Sequence, residues 1–316
     1  MLDRHFMPRE NFSDKRCAME LRVLRYFLAV AREGSVTGAA NLLHVTQPTL
    51  SRQLMDLEGE LGRRLFERGS HSVRLTGDGI LLKRRAEEIL DMAERTLSEF
   101  SGRDGSGAAW DVYIGGGETC AMGRIGEMVR GLRLGYPRIR FNLYSGNADD
   151  VTEKLDRGLL DFGLLIHPAD LSKYDYVNLP DRDVWGVLMR ADNPLAEKRR
   201  IRKRDLLGIP VFVSRQVSRR AYPKNDLLEW LGGDLEGLDI AGTYNLIYNA
   251  GIMVREGVGC AIVLDKLADT GEGSGLCFRP LIPKVEAGLS VVWKKGRYFS
   301  EAAKVFLAEL KSRFGK

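Results

Sequence analysis

The segment from Leu21 to Thr76 constrains this chain more than any other: three short helical patterns joined by tight turns, then two short strand patterns. Leu21, Leu24, Phe27, Leu28 and Ala31 recur at spacings of three and four, which predicts an amphipathic first helix. Gly34 predicts its end. Ser35 is placed to cap a second helix, Val36 to Leu43, by accepting a hydrogen bond from an orphan backbone N–H. After the turn at His44-Val45, Thr46 predicts the cap of a third helix. Pro48 fits its first turn, where the missing N–H would have had no helical partner. This helix can pack through Leu50, Leu54 and Leu57 while turning Gln47, Thr49, Ser51, Arg52 and Gln53 outward. Gln offers a donor and an acceptor to adenine's edge, Arg can fork onto guanine, and Ser or Thr suits phosphate or either base. A merely solvated helix shows a polar face too. The order of parts favours a groove reader: tight turn, Thr-Gln-Pro start, LEGELGRRLFER, then a β-wing ending in Leu75-Thr76.

In Gly34, Ser35, Ala39-Ala40, Thr46-Gln47-Pro48, Leu50-Ser51, Leu57-Glu58, Leu61-Gly62, Leu65-Phe66, Arg68, Leu75-Thr76 and Gly79, the segment resembles the DNA-binding domain of LysR-type transcriptional regulators. The resemblance implies a winged helix-turn-helix over 19–79. Ser35 and Thr37 would contact phosphates, and Thr46, Gln47, Pro48, Thr49, Ser51 and Arg52 would face the groove. The family often carries arginine at the wing tip, whereas Gly69-Ser70-His71-Ser72 stands here, which leaves Arg68 and Arg74 to reach phosphate.

Leu82, Ala86, Ile89, Leu90, Ala93 and Leu97 form an apolar stripe that predicts a linker helix over 80–100. Such a helix gains little stability until its apolar face is buried, either on its own domain or against a partner's helix, and with the resemblance included the stripe is expected to pair two copies of the chain. Residues 101–109, rich in Gly and Ser, read as a hinge. Residues 1–18 are of mixed charge and precede the family-like start at Met19; a disordered extension or an upstream start codon is expected.

At 316 residues the chain is long enough for two domains with buried cores. It has no apolar run of membrane-spanning length and no h-region near residue 1, so a cytoplasmic, membrane-free protein is expected. The net charge of +5 permits nucleic-acid binding without arguing for it strongly. Between Leu21 and Thr76, eight basic residues face five acidic ones, so DNA affinity should depend on placement and on pairing two domains. The densest basic run, Lys198-Arg199-Arg200 and Arg202-Lys203-Arg204, reads as a solvated loop and helix start. Cys17, Cys120, Cys260 and Cys277 show no metal spacing, so no zinc site and no cofactor are expected. His5, His44, His71 and His167 are scattered, and no catalytic constellation appears.

From residue 110 onward, strands and helices alternate: strands at Asp111–Ile114, Arg140–Tyr144, Asp161–Ile166, Trp185–Met189, Pro210–Val213, Cys260–Leu264 and Leu289–Trp293, and a last helix from Ala302 to Phe314. This α/β pattern implies mostly parallel sheets that bind ligands at strand carboxyl ends. It resembles the two-lobed, periplasmic-binding-protein-like effector domain of the same family. That places lobe I at 110–180 and 278–316 and lobe II at 181–277, with crossings near Pro180–Asp183 and Asp265–Cys277. The candidate effector residues are Glu118, Thr119, Ser145, Asn147, His167, Ser214, Gln216 and Asn245. The glycine-rich turn 115–117 could cradle an anion at a helix start. Glu118, however, would favour an effector that is neutral or carries an amine at that end. Cys120, at the same helix start, reads first as a small packing residue, with a thiolate as the alternative.

These features point to a ligand-responsive bacterial regulator that binds an inverted-repeat operator in double-stranded DNA. The resemblance implies a homodimer through the linker helix and pairing of dimers into a homotetramer. The alternative is a small-molecule-binding module whose helical domain serves protein partners.

Overall fold

The computed structural model describes residues 19–68, 73–101, 110–216, 225–233 and 235–315. The extension 1–18, the wing tip 69–72 and most of the hinge lie outside the described residues. The chain divides into two compact units, 1–97 and 98–316.

The first unit contains α1 (Leu21–Glu33), α2 (Val36–Leu42), α3 (Gln47–Leu61), a hairpin of β1 (Phe66–Arg68) and β2 (Val73–Leu75), and most of α4 (Gly77–Ser101). Gly34 closes α1 in the left-handed conformation, which glycine adopts without a Cβ penalty. The Ser35 hydroxyl accepts from the Gly38 N–H, and the Thr46 hydroxyl accepts from the Thr49 N–H. The face of α1 that packs inward is carried by Val23, Leu24, Phe27 and Val30, while Leu21 is exposed. The expected stripe holds at Leu24, Phe27 and Leu28 and misses at its start, where the core begins at Val23, two positions after Leu21. Spacings of three and four are equally met from Val23, and it is Val23 that reaches the core shared with Leu50 and Leu57.

Family-framework residues hold the wing. The Glu58 carboxylate accepts from the Leu65 N–H at 2.7 Å and the Phe66 N–H at 3.2 Å, which clamps α3 to β1. Thr76 donates to the Arg64 carbonyl and accepts from the Gly79 N–H, so it turns the wing into α4. A Cβ on Gly79 would sit 2.1 Å from the Leu65 carbonyl oxygen, so only glycine lets α4 pass there. The linker stripe divides in two. Ala86 and Leu90 are buried in this unit's own core, whereas Ile89 is 38% and Leu97 63% exposed.

The second unit contains β3 (Trp110–Gly116), α5 (Met122–Gly135), β4 (Ile139–Ser145), α6 (Ala148–Asp156), β5 (Phe162–Ile166), β6 (Tyr174–Arg190), β7 (Pro210–Ser214), α7 (Asp226–Trp230), β8 (Asp239–Tyr244), α8 (Ile247–Arg255), β9 (Cys260–Leu264), β10 (Leu276–Pro280), β11 (Glu286–Lys294) and α9 (Glu301–Phe314). The strands run in the order β4-β3-β5-β11-β6-β9-β7-β8, with β10 also paired to β6. The long β6 belongs to both lobes. Its first part pairs with β11 and its second with β9 and β10. Each lobe has a parallel centre, β3 with β4 and β5, or β7 with β8 and β9. The crossing strands add antiparallel pairs, more than the expected mostly parallel sheets contain. β10 is still in lobe II, so the second crossing follows Pro280 and comes later than the expected 265–277. The lobes have separate cores, one around Phe162, Phe306 and Trp293 and the other around Val187, Ile201 and Ile262. Among the described residues no helix is long and apolar enough to cross a membrane.

Candidate functional site

Two surfaces carry the chemistry, one in each unit. On α3, Gln47, Pro48, Thr49 and Arg52 are exposed, Ser51 is half-buried, and the opposite side is fixed by Leu50, Leu54 and Leu57. Thr46 and Thr49 share a hydroxyl–hydroxyl hydrogen bond of 2.8 Å, so both serve the helix start. Gln47 and Arg52 remain to offer their full side chains outward. Thr37 is exposed near the start of α2, and the Ser35 hydroxyl is occupied by its cap. Arg74 is exposed on β2, and Arg68 lies in β1 opposite Val73.

In the second unit, the carboxyl ends of the parallel strands converge on a crevice between the lobes. A small inner cavity of about 60 Å³ is lined by Glu118, Asn147, Trp185, Ser214, Gln216 and Asn245, among others. A wider cleft of about 820 Å³ shares Trp185, Ser214 and Gln216 with it and adds His167, Asn178 and Arg182. Six of the eight residues expected to bind effector therefore line these spaces. Ser145 is exposed at the end of β4 and lines neither, and Thr119 is buried beside them.

The turn between β3 and α5 is occupied by inter-lobe contacts. The Glu118 carboxylate accepts from the Ile247 N–H, the first residue of α8, whose N-cap Leu246 supplies no side-chain cap. A carboxylate at a helix N-terminus is favoured by the dipole, so Glu118 of lobe I caps a lobe II helix. The charge that the sequence offered to an amine is thus already partnered. The Thr119 side chain lies beside Asp183 on the crossing strand and favours its charged form. The Cys120 thiol donates to the Lys266 carbonyl at 3.5 Å.

The thiolate reading of Cys120 is corrected by its surroundings. Helix α5 begins only at Met122, and burial together with the charges of Asp183 and Asp265 pushes the thiol's pKa up. The glycine cradle is corrected as well. Gly115 and Gly116 lie in β3, and a Cβ on Gly115 would meet Leu160 at 2.4 Å, so packing explains that glycine.

Asp183 is almost fully buried, with one carboxylate oxygen lacking any hydrogen-bond partner. Burial raises its pKa, the Thr119 side chain opposes this, and the neighbouring Asp265 raises it further. In the wider cleft His167 Nε2 lies 2.7 Å from the buried Ser290 hydroxyl, which in turn donates to Asn178 Oδ1 at 2.7 Å. The serine proton is thus spent on Asn178, so His167 must donate through Nε2–H. Burial and the nearby Arg182 lower the His167 pKa and favour the neutral ring. Asn147 Oδ1 is used to cap α6, which leaves its NH₂ for a ligand.

Sequence reasoning missed Arg182, Trp185, Asn178 and Tyr244. Trp185 read as an ordinary strand residue, and nothing local reveals that β6 passes beneath both cavities. Tyr244 spends its hydroxyl on the Ile262 carbonyl at 2.6 Å.

Comparison with known proteins covers both units. Residues 21–80 match the model of the bacterial regulatory helix-turn-helix protein, lysR family, and residues 109–315 match the LysR substrate binding domain. The chain is 30% identical over 296 residues to the Hca operon transcriptional activator HcaR of Escherichia coli (strain K12), covering 93% of this chain and 98% of that protein. It is 27% identical to the HTH-type transcriptional regulator YvbU of Bacillus subtilis (strain 168), covering 94% and 99%. Among solved structures, CbnR, a LysR family transcriptional regulator, superposes with a TM-score of 0.72 at 20% identity, covering 93% of this chain and 99% of that one. Full-length CbnR complexed with its target DNA gives 0.69 at 22% identity, with the same coverage.

Proposed function

The chain belongs to the LysR family of DNA-binding transcriptional regulators with an effector-binding domain, and on that premise we propose how its two surfaces work together. It is a regulator and not an enzyme. Helix α3 enters the major groove with Gln47, Ser51 and Arg52 at base edges, while Ser35, Thr37, Arg68 and Arg74 approach phosphates. Two copies pair along α4, so the dimer reads an inverted repeat, because protein two-fold symmetry is mirrored in the operator. Effector domains pair in turn to give a tetramer, and the protein acts in the cytoplasm.

A small molecule binds in the inter-lobe cleft against Trp185, Ser214, Gln216, His167 and Arg182. The observation that carries this reading is the convergence of six expected residues on two cavities that share Trp185, Ser214 and Gln216, the inner one bordered by the Glu118–α8 contact. A ligand that fills the cleft changes how firmly Glu118 holds α8, and with it the preferred arrangement of the lobes. Quantitative footprinting of the full chain on the DNA upstream of its own gene, with Gln47→Ala beside it, tests the DNA half. Discrimination at one base position should fall by about 1–3 kcal/mol while other positions hold. Uniform weakening at every position would remove Gln47 from the base edges.

A further inference from the structure

The run from Lys198 to Arg204 is not used by the cleft, yet it concentrates six basic residues in seven positions. The expected solvated loop and helix start are both there, the latter as a short 3₁₀ turn over Lys203–Leu206, and the segment is also stapled to lobe II. Leu195, Ile201 and Leu206 are buried in that lobe's core, Ile201 bridges Leu281, and Arg279 donates twice to the Ala196 carbonyl at 3.0 and 2.8 Å. With these anchors inward, the intervening side chains project from a fixed ridge.

Two of the six cations are used internally: Lys198 pairs with Asp205 at 2.6 Å, and Lys203 donates to the Leu231 carbonyl. Arg199, Arg200, Arg202 and Arg204 are exposed, and among the described residues they form no ion pair within 4 Å. Arg202 and Arg204 also edge a groove of about 900 Å³ that Arg182, Lys203 and Lys284 line together with Asp226, Glu229 and Glu286, the last of these paired with Lys284. Crowding like charges on a rigid segment opposes folding unless something neutralises them.

We propose that this arginine ridge is a second, sequence-independent contact for the phosphates of duplex DNA. The chemistry favours phosphate over an acidic protein. Stable protein interfaces are depleted of charge around an apolar or aromatic centre, whereas the ridge itself presents four exposed guanidiniums around the inward-facing Ile201, with Trp230, Ile282, Pro283 and Val285 set in the groove beside it. Phosphate needs only guanidinium forks and fixed geometry, and arginine supplies both. The first unit also has a motive for help, since residues 21–76 carry eight basic against five acidic residues. The proposal rests on the family's DNA binding but not on which residues of α3 read bases.

Fluorescence anisotropy of the full chain on a 60-bp duplex of arbitrary sequence, titrated over a range of salt, tests it. Replacing Arg199, Arg200 and Arg204 together by Gln should weaken binding and flatten the log–log salt slope by roughly 0.9 for each phosphate no longer neutralised. The triple Lys variant should keep most of the parent slope, which separates charge from any effect on folding. A Gln variant that binds with the parent's affinity and slope overturns the proposal. Unchanged DNA binding together with failed promoter activation in a reconstituted transcription reaction would assign the ridge to an acidic protein, and overturns it equally. A parent chain that fails to bind duplex DNA at all would sink the DNA reading as a whole, and the ridge with it.

Discussion

The two units use the same kinds of bonds over different distances along the chain. In the DNA-binding unit, Glu58 reaches residues seven and eight positions away, and Thr76 reaches twelve positions back and three forward. In the effector unit, Glu118 finds its partner 129 positions away and Cys120 finds its own 146 away. A motif whose residues satisfy one another locally is written in the sequence. A site whose residues meet only after the chain has crossed from one lobe to the other is not.

The largest effect is expected where the local and the intermolecular roles of α4 part company. Ile89 and Leu90 are neighbours in sequence, but Leu90 is buried in its own unit and Ile89 is exposed. Leu90→Glu should unfold the DNA-binding unit, since it buries an unpaired charge. Ile89→Glu should leave the thermal unfolding of that unit within about 0.5 kcal/mol. It should nevertheless lower operator affinity by roughly 10²–10⁴, the avidity gained by tethering two readers. Native mass and a gel shift on the same sample check this; a dimeric Ile89→Glu protein with native affinity would remove α4 as the seam.

A smaller effect is expected at the long-range contact. Glu118→Ala removes both the cap and the charge from the N-terminus of α8 and should cost about 1 kcal/mol in the unfolding of the effector unit, with Glu118→Gln costing less. An unchanged melting curve in Glu118→Ala would mean that the contact between lobes contributes nothing. An effector screen on the Gln variant then sharpens the comparison. If cationic compounds lose affinity while stability holds, Glu118 belongs to the ligand and not to α8.

How much could be read in advance follows the same division. Gly34, Ser35 and Thr46 were visible as a helix end and two caps because each acts within its own neighbourhood, whereas Glu58, Thr76 and Gly79 entered through the family resemblance and their clamping and close-approach roles only through the structure. The start of the α1 stripe was set slightly wrong, since Leu21 fits the spacing but lies beyond the core. In the effector unit the strand-end turns could be listed from the alternating pattern, and six of the candidates do line the cavities. Thr119 was legible as polar, but not as a neighbour of Asp183, because that contact depends on where β6 passes. Arg182 and Trp185 were missed for the same reason. The glycines at 115 and 116 suggested a turn that could cradle an anion, when they in fact serve close packing within a strand.

The smallest effect concerns the crossing strand itself. Asp183 is buried, one of its oxygens has no partner, and its neighbours are the Thr119 hydroxyl, Asp265, Asp181 and Lys266. Its pKa is raised chiefly by burial, so the folded protein binds this proton more tightly than the unfolded chain. Stability is therefore lost as the pH climbs from the ordinary value of 3.8 through the raised folded value, and the deficit is complete above it. Asp183→Asn keeps a side-chain oxygen beside Thr119 and places an uncharged NH₂ group beside the Asp265 carboxylate. The variant should melt a little higher than the parent at pH 7, with the gap closing as the pH falls toward 4. A lower melting temperature at pH 7 would show that the charge on Asp183 is wanted. The crossing strand would then be held by its field, and the bonds that join the lobes would depend on charge as much as the helix cap of Glu118 does.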